Sequence, residues 1–185
     1  LNKRALPTYD DALAMVIAAA PPLDSEAVAL GDALGRTLRG DVVADRDQPP
    51  FHRSAMDGFA VRSDLVKRDA WFDINGSAAA GSPLCAMPGE GVMRIATGAA
   101  LPDGADAVVQ IEKATVEGER VRFDVDDVLP WGNIHKRAAD AHAGDAIIKA
   151  GTRLAPQHMG IASAVGACEL SVAKRPRITL LTSGD

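Results

Sequence analysis

The chain has 185 residues and a formal charge of −5, so it carries no global field for nucleic acid or an anionic membrane. At 47% hydrophobic and 24% charged it has the balance of a globular protein, and at 4% aromatic its cores must be built from Ala, Val, Leu and Ile. Seventeen glycines and eleven prolines exclude a simple helix bundle and predict many turns between short elements. Cys85 and Cys168 form no zinc-type spacing and demand no disulfide, and a reducing cytoplasm is the expected compartment. No signal peptide is visible, and no apolar run approaches the roughly 18 residues of a membrane span.

The first predicted element is a helix in "LPTYDDALAMVIAAAPP". Thr8 with Asp11 makes a capping-box pattern, Leu13, Val16, Ile17 and Ala20 share one face, and Pro21-Pro22 end the run. A single amphipathic helix needs something to dock on. Next come a short strand at Glu26 to Leu30, a short helix at Asp32 to Leu38 and an extended piece at Asp41 to Ala44. From Phe59 to Val128 the pattern is mostly β, a barrel or sandwich of about 70–90 residues. Within it, "DAVVQIEKATVEGERVRFDV" reads as a hairpin turning at Glu117-Gly118. Pro156 fits the first position of a helix that ends at Gly166. Arg177 to Leu181 is an apolar run suited to a buried parallel strand, leading into Thr182-Ser183-Gly184-Asp185. A Gly-containing turn at the carboxyl end of such a strand is where α/β folds bind anions. Both chain ends are read as cuts, with a further domain beginning near the last strand.

Three stretches concentrate chemistry. "PPFHRSAMDGFAV", Pro49 to Val61, crowds His52, Arg53, Ser54 and Asp57 behind a stiff Pro-Pro pair. Asp57-Gly58 is a common turn dipeptide, so a plain turn and a preorganised site both remain open. Thr97-Gly98 follows the apolar strand "VMRI"; a hydroxyl followed by glycine lets backbone approach a phosphate, and it also suits an ordinary strand-to-loop corner. "HKRAADAHAGD" sets His135, Lys136 and Arg137 before Asp140, either an anion-and-metal holder or a solvated loop. Glu112 and Lys113 read as solvent-facing, and Asp106 as the cap of the next strand. The four histidines have no i,i+4 pairing, which argues against a transition-metal site. No Walker A, GxSxG or complete GxGxxG motif is present.

Taken together, "PPFHRSAMDGFAV", "RIATGAALPDGADAVVQIE", "AGDAIIKAGTRLAPQHMGIASAVG" and "RPRITLLTSGD" resemble the bacterial molybdopterin molybdenumtransferases (the MoeA family) and the E domain of gephyrin. The stretches stand in the family's order and at its spacing. The resemblance implies a multi-domain α+β fold: a β-rich, barrel-like second domain at 45–137, inserted in a discontinuous α/β linker domain at 23–44 and 138–174. It further implies that the helix within 1–22 packs on a large α/β molybdopterin-binding domain, of which only the first strand, 175–185, is present.

The implied activity is the last step of molybdenum cofactor synthesis, the Mg²⁺-dependent insertion of molybdate into adenylated molybdopterin with release of AMP. The implied assembly is a homodimer whose active site joins one subunit's large domain to the partner's second domain, so this chain alone is expected to be inactive. The molybdopterin adenylyltransferase is an implied partner; nucleic acid and membrane are not. By resemblance Asp57 and Thr97 are the catalytic pair, Ser54, Gly98, Arg137 and Asp140 bind substrate, and Asp57 and Asp185 take the metal. The chain departs from the family at Ala138-Ala139, where Gly-Glu is usual, which keeps open a non-catalytic, gephyrin-like pterin-binding or scaffold homologue.

Overall fold

The computed structural model describes residues 6–183. In chain order the regular elements are α1 (Tyr9–Ala19), β1 (Ser25–Ala29), β2 (Val42–Val43), β3 (Arg53–Ser54), β4 (Gly58–Val61), β5 (Trp71–Ala78) and β6 (Val92–Ile95). They continue with β7 (Ala107–Gln110), β8 (Ala114–Glu117), β9 (Arg120–Phe123), β10 (Ile134–His135), β11 (Ala146–Ile148), α2 (Pro156–Ala164) and β12 (Glu169–Ala173). Among the described residues the protein is mostly β with two α-helices, and it divides into two compact units, 1–42 with 148–185, and 43–147.

The unit formed by both ends of the chain is built on an antiparallel pair of β1 and β12, Ser25 opposite Ala173 through Ala29 opposite Glu169. Leu38, Leu154, Ala162, Val165, Leu170 and Val172 are among its buried apolar residues. α2 begins with Pro156 at its first turn, and His158 Nδ1 accepts from the Ala155 N–H at 3.0 Å. It ends in a Schellman arrangement, with Gly166 N–H on Ser163 O and Ala167 N–H on Ala162 O. α1 is also present, and Thr8 and Asp11 make the reciprocal capping bonds. Its apolar stripe is not covered among the described residues: Val16 and Ile17 are 66% and 65% exposed.

Two expectations for this unit are corrected. The stretch Asp32 to Leu38 is not a helix; a single 3-10 turn at Leu30–Asp32 precedes an irregular segment in which Thr37 and Leu38 bridge to Arg153 and Val172. The fully buried Leu38 takes its partners from these bridges, and Gly31 and Gly35 break helical propagation. The run Arg177 to Leu181 forms no strand. Ile178, Leu180 and Leu181 are more than four-fifths exposed, because no strand among the described residues pairs with them.

The second unit is a six-stranded sheet curled into a half-barrel, in the order β7-β4-β6-β5-β9-β8. Only β5 and β6 run parallel; the other neighbours are antiparallel. β4 lies between β7 and β6 and is wholly buried, and its alternation feeds two cores. Phe59 and Val61 join Val92, Val109, Val121 and Phe123 on one face. Ala60 joins Met93, Ile95, Leu101 and Val108 on the other. Phe59 and Phe123 meet edge to face at 5.7 Å between centroids.

The expected hairpin is corrected in its first arm. β8 and β9 do pair around the turn that follows Glu117, but the strand from Ala107 is interrupted at Ile111–Lys113 by a 3-10 turn. β7 therefore pairs with β4 at the far edge of the sheet rather than continuing into β8. Ile111 breaks the apolar alternation by being 45% exposed, while Val109 is buried.

Candidate functional site

The segment from Pro49 to Val61 is a braced loop followed by the buried strand β4. The Gln48–Pro49 bond is cis. β3 pairs with β10, setting Ser54 opposite Ile134 and Arg53 opposite His135. Ser54 is 2% exposed; its hydroxyl donates to Met56 O at 2.5 Å and accepts from the Met56 N–H at 3.3 Å. The Ser54 backbone bonds in both directions with the next loop, donating to Ala99 O and accepting from the Gly98 N–H. Ser54 thus clamps the two loops together, with its hydroxyl spent inside the first.

That clamp brings Asp57 to Thr97. Asp57 Oδ1 accepts two bonds from one residue, the Thr97 N–H at 2.7 Å and the Thr97 hydroxyl at 2.9 Å. These bonds, the backbone one foremost, hold the Asp57 carboxyl below its ordinary value of 3.8. Oδ2 has no partner among the described residues, so one oxygen is anchored and the other is free for a ligand. Gly98 takes φ +79°, the left-handed conformation that turns the chain back under Thr97. Gly58 must be glycine for a different reason: a Cβ there would lie 2.0 Å from Val109 O.

Asp57 opens on a cavity of about 300 Å³, lined also by Gly58, Ser77, Arg94, Ile95 and Ile111. Ser77 and Arg94 face each other across the β5–β6 ladder. A wider groove of about 720 Å³ lies along β5 beside Trp71 and Asp73, and none of the sequence-predicted residues reaches it. Among the described residues no group of three or more His, Cys, Asp or Glu side chains converges on a metal-sized space. Among the described residues that line the cavity Asp57 is the one carboxylate, a donor of the kind that Mg²⁺ uses when substrate oxygens and water complete its shell.

Arg137 and Asp140 form a second cluster and do not line the Asp57 cavity. Arg137 Nε donates to Asp47 Oδ2 at 2.5 Å, and its backbone N–H donates to His52 Nδ1 at 3.0 Å. His52 packs on Trp131 at 4.9 Å, and Lys136 Nζ lies 4.9 Å from the same ring's centroid. Asp140 sits 3.1 Å from His135 Nε2, and its N–H donates to Gln48 O. This loop is cross-braced rather than loosely solvated. Its organiser is Asp47, which sequence reasoning passed over. Bonds from the Ala143 N–H and the Arg137 guanidinium hold Asp47 below its ordinary value. Asp106 does not cap the strand that follows it: it accepts from the Ser63 N–H and hydroxyl, each at 2.6 Å, reaching 43 residues back to the turn after β4. Asp185 lies outside the described residues.

Ser77 and Arg94 were also missed. In "VMRI" Arg94 falls two residues after Val92 and so shares that residue's side of the strand, three residues before Thr97, but as an exposed charge it reads as an ordinary solvent-facing position.

Comparison with known proteins bears on the same segments. The family described as MoeA N-terminal region (domain I and II) matches residues 7–166. A molybdopterin molybdenumtransferase of Haemophilus influenzae is 28% identical over 180 residues, 96% of this chain and 45% of that protein. One from Bacillus subtilis is 32% identical over 201 residues, 100% of this chain and again 45% of the relative. A crystal structure of the molybdopterin biosynthesis moeA protein from Pyrococcus horikoshii superposes with a TM-score of 0.85 at 29% identity, covering 93% of this chain and 47% of that one. The chain spans a little under half the length of these relatives. With 7–166 matched, the half-barrel and the Asp57–Thr97 loops both fall within the match, and the chain belongs to the MoeA N-terminal region (domain I and II) family.

Proposed function

We propose that the protein carrying this chain is a molybdopterin molybdenumtransferase, inserting molybdate into adenylated molybdopterin with release of AMP. The observation that carries the reading is the Asp57–Thr97 unit: a carboxylate anchored through one oxygen, free through the other, and facing a cavity. A free, ionised carboxylate beside a substrate made of phosphates and an oxyanion calls for a cation between them. Asp57 is the residue here that would hold Mg²⁺, with Asp185 a second proposed ligand. When bound, the ion would offset charge and polarise the bond to the leaving AMP. Thr97 commits its hydroxyl proton to Asp57, so its part is to hold the carboxylate in one rotamer and keep it ionised. Ser54 and Gly98 shape the loops around that pair, and Arg137 and Asp140 belong to the adjoining braced loop. The proposed assembly is a homodimer, with the molybdopterin adenylyltransferase as upstream partner.

The test is Asp57→Ala in the full-length protein, assayed with adenylated molybdopterin, molybdate and Mg²⁺. Insertion is expected to disappear while the fold persists, because the side chain is exposed and packs in no core. Near-normal insertion removes Asp57 from the reaction. Because this chain spans under half of its relatives, it is expected to show no turnover by itself. The Ala138-Ala139 departure, which leaves no carboxylate next to Asp140, favours one second reading, a pterin-binding homologue without chemistry. Equilibrium binding of pterin by the full-length protein with no turnover would select it.

A further inference from the structure

Arg94 places an unassigned positive charge at the Asp57 cavity. β6 runs Val92-Met93-Arg94-Ile95, and its period of two sorts these residues onto opposite faces. Met93 and Ile95 enter the core around Ala60, whereas Val92 enters the core around Phe59. Arg94 shares Val92's face and stands directly opposite Phe59 in the β4–β6 ladder. Its guanidinium carbon lies 5.4 Å from the Phe59 ring centroid. A guanidinium held against an aromatic ring keeps N–H donors available for an oxyanion.

The charge is also unspent. Arg36, Arg46, Arg68, Arg120, Arg122 and Arg137 each sit on a carboxylate, whereas Arg39 and Arg53, like Arg94, form no ion pair among the described residues. Arg94 has no ion-pair or hydrogen-bond partner among the described residues. It does not pair even with Asp57, which lines the same cavity and whose Oδ1 is held by Thr97. The opening therefore carries a fixed carboxylate and an unpaired guanidinium over a lining that is otherwise mostly apolar, with Ala78, Ile95 and Ile111 in it. Ser77, opposite Arg94 in the ladder, adds a hydroxyl, and about 300 Å³ is room for a phosphate-sized group.

We propose that Arg94 is an oxyanion-binding residue of this cavity, taking a tetrahedral group through its guanidinium fork while Asp57 remains free on the other wall. A bidentate guanidinium fits two oxygens of a phosphoryl group or of molybdate equally well. Naming that anion as part of the substrate rests on the molybdenumtransferase reading; the presence of an anion site does not.

The test is titration of the 185-residue chain with AMP and, separately, with molybdate, at fixed ionic strength and followed by amide and arginine side-chain NMR. Saturable shifts are expected at the Arg94 Nε–H and at the Gly58 and Thr97 amides. Arg94→Gln should weaken the responding anion roughly 10- to 100-fold, the effect of losing one charge-assisted contact. Arg94→Lys should fall between, since it keeps the charge and loses the fork. A response to AMP alone assigns the site to the nucleotide phosphate; a response to molybdate alone assigns it to the metal oxyanion. Binding by Arg94→Gln within threefold of the unsubstituted chain overturns the proposal, and so does the absence of any shift at the cavity with either anion. Thermal unfolding identifies a variant that fails to fold, in which case Arg94→Lys and the mapping on the unsubstituted chain decide. Arg94-dependent anion binding in a full-length protein that never inserts molybdate would sink the functional reading and leave this inference standing. Insertion that requires Asp57 with anion binding indifferent to Arg94 would do the reverse.

Discussion

Gly58 allows the site's geometry to be tested through stability alone. A Cβ at this position would lie 2.0 Å from Val109 O, 2.9 Å from Val109 C and 3.1 Å from Gln110 Cα. All three are backbone atoms of β7, so no side chain can swing aside. Restoring an ordinary contact of 3.4 Å to the carbonyl oxygen requires a shift of about 1.4 Å, the difference between 3.4 and 2.0. A shift of that size breaks ladder bonds around the Gly58–Gln110 and Phe59–Val109 pairs. Overpacking costs about 1–3 kcal/mol, and two lost backbone bonds add about 1 kcal/mol each. Gly58→Ala should therefore cost about 3–5 kcal/mol. For a unit the size of 43–147, that lowers Tm by roughly 12 °C or more.

Gly98→Ala is the matched control. Nothing lies within 4 Å of its Cβ position, and only the φ of +79° resists substitution. Its expected cost is about 1–2 kcal/mol, the left-handed penalty alone. Urea unfolding of both variants, with amide spectra of Asp57 and Ile111, gives the comparison. The Asp57 carbonyl accepts the Ile111 N–H at 3.0 Å, so a moved β7 must also disturb the amide of Ile111. Gly58→Ala costing under about 1 kcal/mol, or less than Gly98→Ala, would refute the close-approach argument.

Two further outcomes follow from local geometry. Ala138 holds φ +59°, with its N–H on Pro49 O, where a side chain is strained. Ala138→Gly should stabilise the protein by about 0.5–1 kcal/mol, the left-handed relief less the added chain entropy of glycine; a loss of stability in urea unfolding would contradict it. Thr97→Val removes the hydroxyl bond to Asp57 and keeps the stronger backbone one. The Asp57 carboxyl should therefore titrate higher than in the unsubstituted chain, though still below its ordinary 3.8. Because the folded value is depressed, Asp57 contributes stability above the ordinary carboxylate range, and this is lost as pH falls through the folded value. The variant should lose it at a higher pH. An unchanged carboxyl titration by NMR would show that the hydroxyl is not engaged.

The sequence was most legible where one local rule decided the outcome. The Thr8–Asp11 cap, the proline that opens α2 and the glycine after its end each act within a few residues, and each formed as the pattern indicated. It was least legible where distant partners decide. Ile111 continues an apolar alternation on paper, yet the chain must leave the β4 edge to start β8, and the 3-10 turn makes that exit. Leu38 looked like the end of a helix because its partners, Val172 and Thr152 O, are more than a hundred residues away. Arg177 to Leu181 has the composition of a buried strand and no neighbour among the described residues to bury it.

The same distinction explains the site. Asp57 and Thr97 are polar residues beside glycines, a pattern that suits a plain turn as well as a site, and the family resemblance is what raises them. What composition cannot show is that the Thr97 hydroxyl points at Asp57 rather than outward, because the bond spans 40 residues of chain. That contact turns two separate ligand candidates into one anchored carboxylate. Arg94 was hidden for the opposite reason. Its charge within a strand suggests the solvent face, and the side chain is exposed, with its guanidinium carried over the Phe59 ring. What the strand pattern does not show is that this exposed guanidinium lines the same cavity as Asp57, a juxtaposition set by the pairing of β6 with both β4 and β5.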